Sequence, residues 1–89
     1  MKTIRIVVSG KVQGVYFRQS TKEMAQQLGI TGTVKNLSNG SVEVIATGIG
    51  QQLQLLADWC HQGPPRARVD DVQTSLLPYE QFTDFKVTR

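Results

Sequence analysis

The chain has one cysteine and one histidine in 89 residues. With Cys60 alone, no internal disulfide can close and no multi-cysteine metal site can form. With His61 alone, a catalytic triad, a histidine metal pair and a histidine phosphotransfer relay would all compete for one side chain. That side chain lies near the expected C-terminus of a helix, where the dipole favours a solvated imidazole. No apolar run approaches the roughly 20 residues of a membrane span, and no signal-peptide pattern follows Met1. A soluble, cytoplasmic protein is the expectation. Blocks of like charge are also missing: ten Lys and Arg against seven Asp and Glu leave a net charge of +3, scattered along the chain. So mild an excess suits a small anionic ligand as well as a nucleic acid. The length allows one domain with one core, so any site must be built on a simple scaffold.

What is present is clear periodicity. Ile4, Ile6 and Val8 alternate between Thr3 and Ser9, marking one buried strand face with Arg5 on the other. Phe17, Thr21, Met24 and Leu28 draw a helical stripe, predicting a helix over Arg18–Leu28 that closes at Gly29. ITGTVKN (30–36) and SVEVIAT (41–47) read as strands joined through LSNGS, where Asn39-Gly40 is a hairpin signal because both residues tolerate positive φ. Leu53, Leu56, Ala57 and Cys60 then fall at helical spacing, and Gly63-Pro64-Pro65 ends that helix. RVDDVQTSL and FTDFKVT follow as weaker strands. The order β-α-β-β-α-β predicts an α+β, ferredoxin-like sandwich: an antiparallel sheet, two helices on one face, and a short fifth strand at the C-terminus.

The segment GKVQGVYFR, from Gly10 to Arg18, is the first chemical candidate. A glycine-bearing loop between a strand and a helix exposes backbone N–H groups, and the helix N-terminus adds unpaired donors. Arg18 in the first turn could grip two phosphate oxygens with its planar fork. A tight turn with a solvated arginine is the competing account. No Gly-Lys-Ser/Thr follows, so this is not a nucleotide-binding Walker loop. Asn36 is the second candidate. It shares the parity of Ile30 and Val34, which aims its amide at the covered face, where it must find a partner or hold a water. Its competing use is to cap the LSNG turn.

Other patterns are weaker. Cys60 to Arg66 has the C-x5-R spacing of cysteine phosphatases, but the cysteine lies on an apolar helical stripe and Pro64 and Pro65 lack donors. GIGQQL from Gly48 lacks the third glycine of a dinucleotide fingerprint. Asp70 and Asp71 are adjacent on a strand and point to opposite faces, which disfavours a shared metal.

VSGKVQGVYFR closely resembles the first signature of the acylphosphatases, through Gly10, Val12, Gln13, Gly14, Val15, Phe17 and Arg18. GTVKNLSNGSVEVIATG resembles the second, through Gly32, Val34, Lys35, Asn36, Gly40, Val42 and Gly48. The resemblance extends with less specific motifs over residues 1–89 as one acylphosphatase-like domain. It departs at Thr33, where the family usually has an aromatic; strand parity points Thr33 away from Asn36, so surface packing is affected more than chemistry.

The resemblance implies hydrolysis of a carboxyl-phosphate anhydride to a carboxylate and inorganic phosphate. Arg18 would bind the phosphate, Asn36 would orient the attacking water, and Lys11, Val12, Gln13, Gly14, Val15, Tyr16 and Phe17 would supply backbone donors. Phosphoryl transfer leans on such positioned donors. The leaving carboxylate, whose conjugate acid has a pKa of about 4, needs no proton. The expectation is therefore a metal-independent water attack without a cofactor, with inorganic phosphate as product and competitive inhibitor, in a monomer that engages no membrane. The alternative is a non-catalytic ferredoxin-like module binding RNA or a phosphate ligand. RNA-recognition domains stack bases on aromatics of the central strands, and IRIVVS and SVEVIAT carry none.

Overall fold

The computed structural model describes residues 1–89. Its elements are β1 (Lys2–Lys11), α1 (Phe17–Gln27), β2 (Thr31–Asn36), β3 (Val42–Gly48), α2 (Gly50–Gln62), β4 (Arg68–Leu77) and β5 (Phe85–Val87). The sheet order is β4-β1-β3-β2-β5. The first four strands pair antiparallel, as expected of a ferredoxin-like sandwich, and both helices cover one face. The short fifth strand also forms, but it pairs parallel to β2, through Gly32–Phe85, Thr33–Lys86 and Val34–Val87. The sheet is therefore mixed rather than wholly antiparallel. Because β4 and β5 lie at opposite edges, residues 78–84 must cross the open face of the sheet. They are held there by Thr3 and Thr47, whose hydroxyls lie 2.6 Å apart: Glu80 N–H donates to Thr3 Oγ1 and the Glu80 carbonyl accepts from Thr47 Oγ1.

The apolar alternation decides which face is covered. Ile6, Val8, Val34, Val42, Val44 and Ala46 leave the sheet on the helical side and are buried against Phe17 and Ala25 of α1 and Leu53, Leu56, Ala57 and Cys60 of α2. Each such valine, leucine or isoleucine contributes on the order of 1.5–3 kcal/mol before chain entropy is set against it. Thr21 joins this face because its hydroxyl donates to the Phe17 carbonyl, 2.8 Å away and one turn back. On the open face Arg5 Nε pairs with Glu43 at 2.7 Å, and Lys35 lies 3.8 Å from the same carboxylate.

Two local expectations change. β1 runs on through Gly10 to Lys11, so the first glycine of GKVQG belongs to a strand and not to the loop. A register shift against β4 falls between Ser9 and Gly10, and a Cβ on Gly10 would lie 2.3 Å from the Arg68 carbonyl oxygen. Gly10 is bare because β4 passes over it. In the 37–41 hairpin only Gly40 takes a positive φ, of 93°. Asn39 works through its side chain instead, Oδ1 accepting from Ser41 N–H at 3.0 Å in an Asx turn.

Candidate active site

After Lys11 the chain leaves the sheet and turns over its end before entering α1. Val12, Val15 and Phe17 are buried and fix this segment to the core. The Phe17 ring also packs against Trp59 of α2, with centroids 5.6 Å apart. Between these anchors the backbone bends back twice, Gly14 at φ 74° and Tyr16 at φ 68°. Tyr16 is the one non-glycine residue of the chain with a positive φ, and it is 77% exposed. A left-handed residue there turns the chain directly into the helix, with Tyr16 as its N-cap.

The result is a run of unpaired donors. From Val12 to Gln19 no backbone N–H finds a backbone acceptor in the chain, and the first to do so is Ser20, which donates to the Tyr16 carbonyl at 3.0 Å. The helix explains the last three of these, since first-turn N–H groups have no intrahelical partner. The loop explains the others. Donors of this kind at the positive end of a helix attract an anion.

A cleft of about 400 Å³ opens here, lined by Val12, Gly14, Tyr16, Phe17, Arg18, Gln19, Asn36 and Val87. No carboxylate, imidazole or thiol is among them. Its polar resources are amide donors, one guanidinium and one side-chain amide. Arg18 is half-buried, and its Nη1 donates to the Thr88 carbonyl at 3.3 Å. Thr88 is itself fixed to β2, its N–H donating to the Val34 carbonyl at 2.8 Å.

Asn36 stands at the last position of β2, opposite Val42. Its Oδ1 is buried and accepts no hydrogen bond from the chain. Turn-capping belongs to Asn39, so Asn36 does not do the work that most often explains an asparagine before a hairpin. Leaving a buried acceptor unpaired costs about 1–3 kcal/mol, which a donor arriving in the cleft would offset.

Of the residues singled out in the sequence, Val12, Gly14, Tyr16, Phe17, Arg18 and Asn36 meet at this cleft, while Lys11, Gln13 and Val15 do not line it. Lys11 is exposed at the end of β1, opposite Arg68. The Gln13 side chain turns to the β2–β3 hairpin, where Nε2 donates to the carbonyls of Leu37 and Ser41. Gln19, Val87 and the Thr88 carbonyl were not anticipated. The last two depend on β5 lying beside β2, a pairing across some fifty residues that no local pattern encodes.

The other chemical candidates are dispersed. Cys60 is wholly buried in α2, and desolvation pushes its thiol from 9.0 up to about 12, opposite to what a nucleophilic thiolate requires. His61 lies on α2 beside a separate groove of about 290 Å³ between α2 and β4. Asp70 pairs with Arg68 at 3.2 Å, and Asp71 accepts from Gln73 at 3.1 Å.

Taken together, these features make a ferredoxin-like α+β sandwich with a run of free amide donors between its first strand and first helix. The acylphosphatase family profile matches residues 4–87. An acylphosphatase of Marinobacter nauticus is 55% identical over 84 residues, covering 93% of this chain and 91% of the relative. Among solved structures, an acylphosphatase from Coxiella burnetii superposes with a TM-score of 0.95 at 44% identity, covering 98% of this chain and 92% of that one. The acylphosphatase from Bacillus subtilis superposes with a TM-score of 0.96 at 32% identity over the whole of both chains. The chain belongs to the acylphosphatase family.

Proposed function

We propose that the chain is a hydrolase that cleaves the carboxyl-phosphate bond of small acyl phosphates by direct attack of water, without a metal or cofactor. Family membership supports the reaction, and the cleft supports the means. The phosphoryl group is held by the N–H groups of the 12–18 loop and by Arg18, whose fork presents paired donors to two oxygens. Water donates one hydrogen to Asn36 Oδ1, which aims its lone pair at phosphorus. The new O–P bond forms as the P–O bond to the acyl group breaks, its electrons leaving as carboxylate. A phosphoryl oxygen takes the proton lost by the water. No acid is required because the leaving group departs as a weak base.

The observation that carries this reading is the buried, unpartnered Asn36 Oδ1 in the same cleft as Arg18 and the unpaired N–H groups. Inorganic phosphate, sharing the seat, is the expected competitive inhibitor. A cytoplasmic monomer is the proposed working form; no helix of the chain is long and apolar enough to cross a membrane. Nucleic-acid binding has less support, since β1 and β3 carry no aromatic residue and Arg5 on their open face is engaged by Glu43.

The test is phosphate release from benzoyl phosphate in the presence of EDTA, by wild type and by Arg18→Ala, with p-nitrophenyl phosphate in parallel. Rapid release by wild type, confined to the acyl phosphate and lost in the variant, is expected. A folded wild type that binds phosphate without releasing any from benzoyl phosphate would reduce the site to a binding module.

A further inference from the structure

The seat for the phosphate and the residue that aims the water lie on different parts of the fold. Val12 to Arg18 is fixed to the core by its own buried side chains, Val12, Val15 and Phe17, and Arg18 is braced separately by Thr88. Asn36 instead adjoins the hairpin of residues 37–41, which closes on itself: Leu37 N–H donates to the Ser41 carbonyl and Gly40 N–H to the Leu37 carbonyl. The direct hydrogen bonds from the loop to this hairpin come from the side chain of Gln13; Arg18 reaches β2 only indirectly and two residues before Asn36, through Thr88, whose N–H donates to the Val34 carbonyl. Gln13 Nε2 donates to the Leu37 carbonyl at 2.8 Å and to the Ser41 carbonyl at 2.9 Å. A primary amide has two N–H donors, and here both are used. Each carbonyl already accepts from the hairpin backbone and gives its remaining capacity to Gln13.

We propose that Gln13 is a positioning residue, whose side-chain amide fixes the end of β2 against the phosphate loop and so sets the distance from the water on Asn36 to the phosphorus. This rests on the roles given above to the loop and to Asn36. In-line attack is sensitive to distance, and a displacement of about 1 Å can cost on the order of 100-fold in rate. The seat itself does not depend on the link. Removing it should slow turnover while leaving phosphate binding in place.

The experiment measures kcat, KM and the inhibition constant of inorganic phosphate for wild type, Gln13→Met, Asn36→Ala and the double variant, with benzoyl phosphate as substrate. Methionine keeps the length of the side chain and removes the donors. In the wild-type background Gln13→Met is expected to lower kcat roughly 10- to 100-fold with phosphate inhibition changed by less than about twofold. In the Asn36→Ala background the same change should cost no more than about twofold, because no positioned water remains to be misplaced. Equal losses in both backgrounds, or phosphate affinity falling in step with kcat, would make Gln13 a general brace and overturn the proposal. Gln13→Glu supplies a second readout: its carboxylate cannot donate to the two carbonyls, but its protonated form restores one bond. Turnover relative to wild type should rise as pH falls through the titration of that carboxyl, and a flat ratio would also overturn the proposal. An inactive wild type would remove the proposed function and this inference with it, whereas an active wild type without Gln13–Asn36 coupling removes the positioning role alone.

Discussion

Gly10 and Gly14 frame one motif, yet the structure gives them different reasons to be glycine, and paired alanine substitutions separate the two. At Gly10, φ is 126°, and an added Cβ would lie 2.3 Å from the Arg68 carbonyl oxygen and 2.8 Å from the Asp70 nitrogen. The shorter contact falls 0.7 Å (3.0 minus 2.3) inside the 3.0 Å limit that real Cβ atoms respect. The obstacle is backbone of the paired strand, so the strands must part. Forcing an alanine into that conformation costs about 1–3 kcal/mol, and weakening one or two ladder hydrogen bonds adds about 1 kcal/mol each. The expected total is about 2–5 kcal/mol, against a whole-domain stability of about 5–15 kcal/mol. At Gly14, φ is 74° and nothing lies within 4 Å of the added Cβ. Only the left-handed strain remains, about 1–2 kcal/mol. Urea unfolding of the two variants, followed by phosphate inhibition of whatever remains folded, checks this. Gly10→Ala should lose about 2–5 kcal/mol of stability while its folded fraction still binds phosphate. A Gly10→Ala protein unfolding at the wild-type midpoint would refute the packing argument. One that is stable but insensitive to phosphate would return Gly10 to the anion seat.

The remaining expectations concern single side chains. Arg18→Lys should lose nearly as much turnover as Arg18→Ala, on the order of 10^3-fold or more, because an ammonium keeps the charge and lacks the paired fork; near-wild-type kcat in the lysine variant would end that role. Cys60→Ala should leave turnover unchanged, since the thiol is buried away from the cleft. The same variant tests linkage: the folded thiol stays protonated to about pH 12, while the unfolded one ionises above 9.0. The stability from this group is whole below pH 9.0 and drains as pH rises toward about 12, by up to about 1.4 kcal/mol per pH unit. The wild-type stability curve should therefore fall more steeply than that of Cys60→Ala across this window, and parallel curves would contradict the burial argument. Tyr16→Gly should raise stability by about 0.5–1 kcal/mol, because relief of about 1–2 kcal/mol of left-handed strain exceeds glycine's added chain entropy of about 0.5–1 kcal/mol; a lower urea midpoint would show that the exposed ring makes a stabilising contact.

Legibility in the sequence followed the range of the interactions. Elements built by periodicity, such as the alternation Ile4–Ile6–Val8 and the stripe Leu53–Leu56–Ala57–Cys60, lie where the pattern places them, because burial of one face needs no knowledge of the partner. Asn36 could be aimed correctly from parity alone, its neighbour Val34 being fully buried. The turn at 37–41 was less legible: Asn39-Gly40 signals a hairpin, but an asparagine can serve either by its φ or by its side chain, and only the fold shows the second. The bare backbone at Gly10 misleads for a similar reason. Its cause is Arg68, more than fifty residues away, and a motif read along the chain credits every glycine to the motif.

The least legible feature, the direction of β5, is also the one that completes the cleft. β1 and β2 each pair antiparallel to β3, so they run the same way and deliver Lys11 and Asn36 to one end of the sheet. α1 begins at that end and packs over β2 and β5. A fifth strand antiparallel to β2 would have carried Thr88 to the opposite end. Because β5 is parallel to β2, Val87 and the Thr88 carbonyl arrive beside the start of α1, where one lines the cleft and the other holds Arg18. The long crossing by residues 78–84 is what makes that direction attainable from the far edge. Thr3 and Thr47 hold this crossing at Glu80 and do not line the cleft themselves, so the route that brings β5 beside α1 is fixed at the opposite end of the sheet from the site it completes.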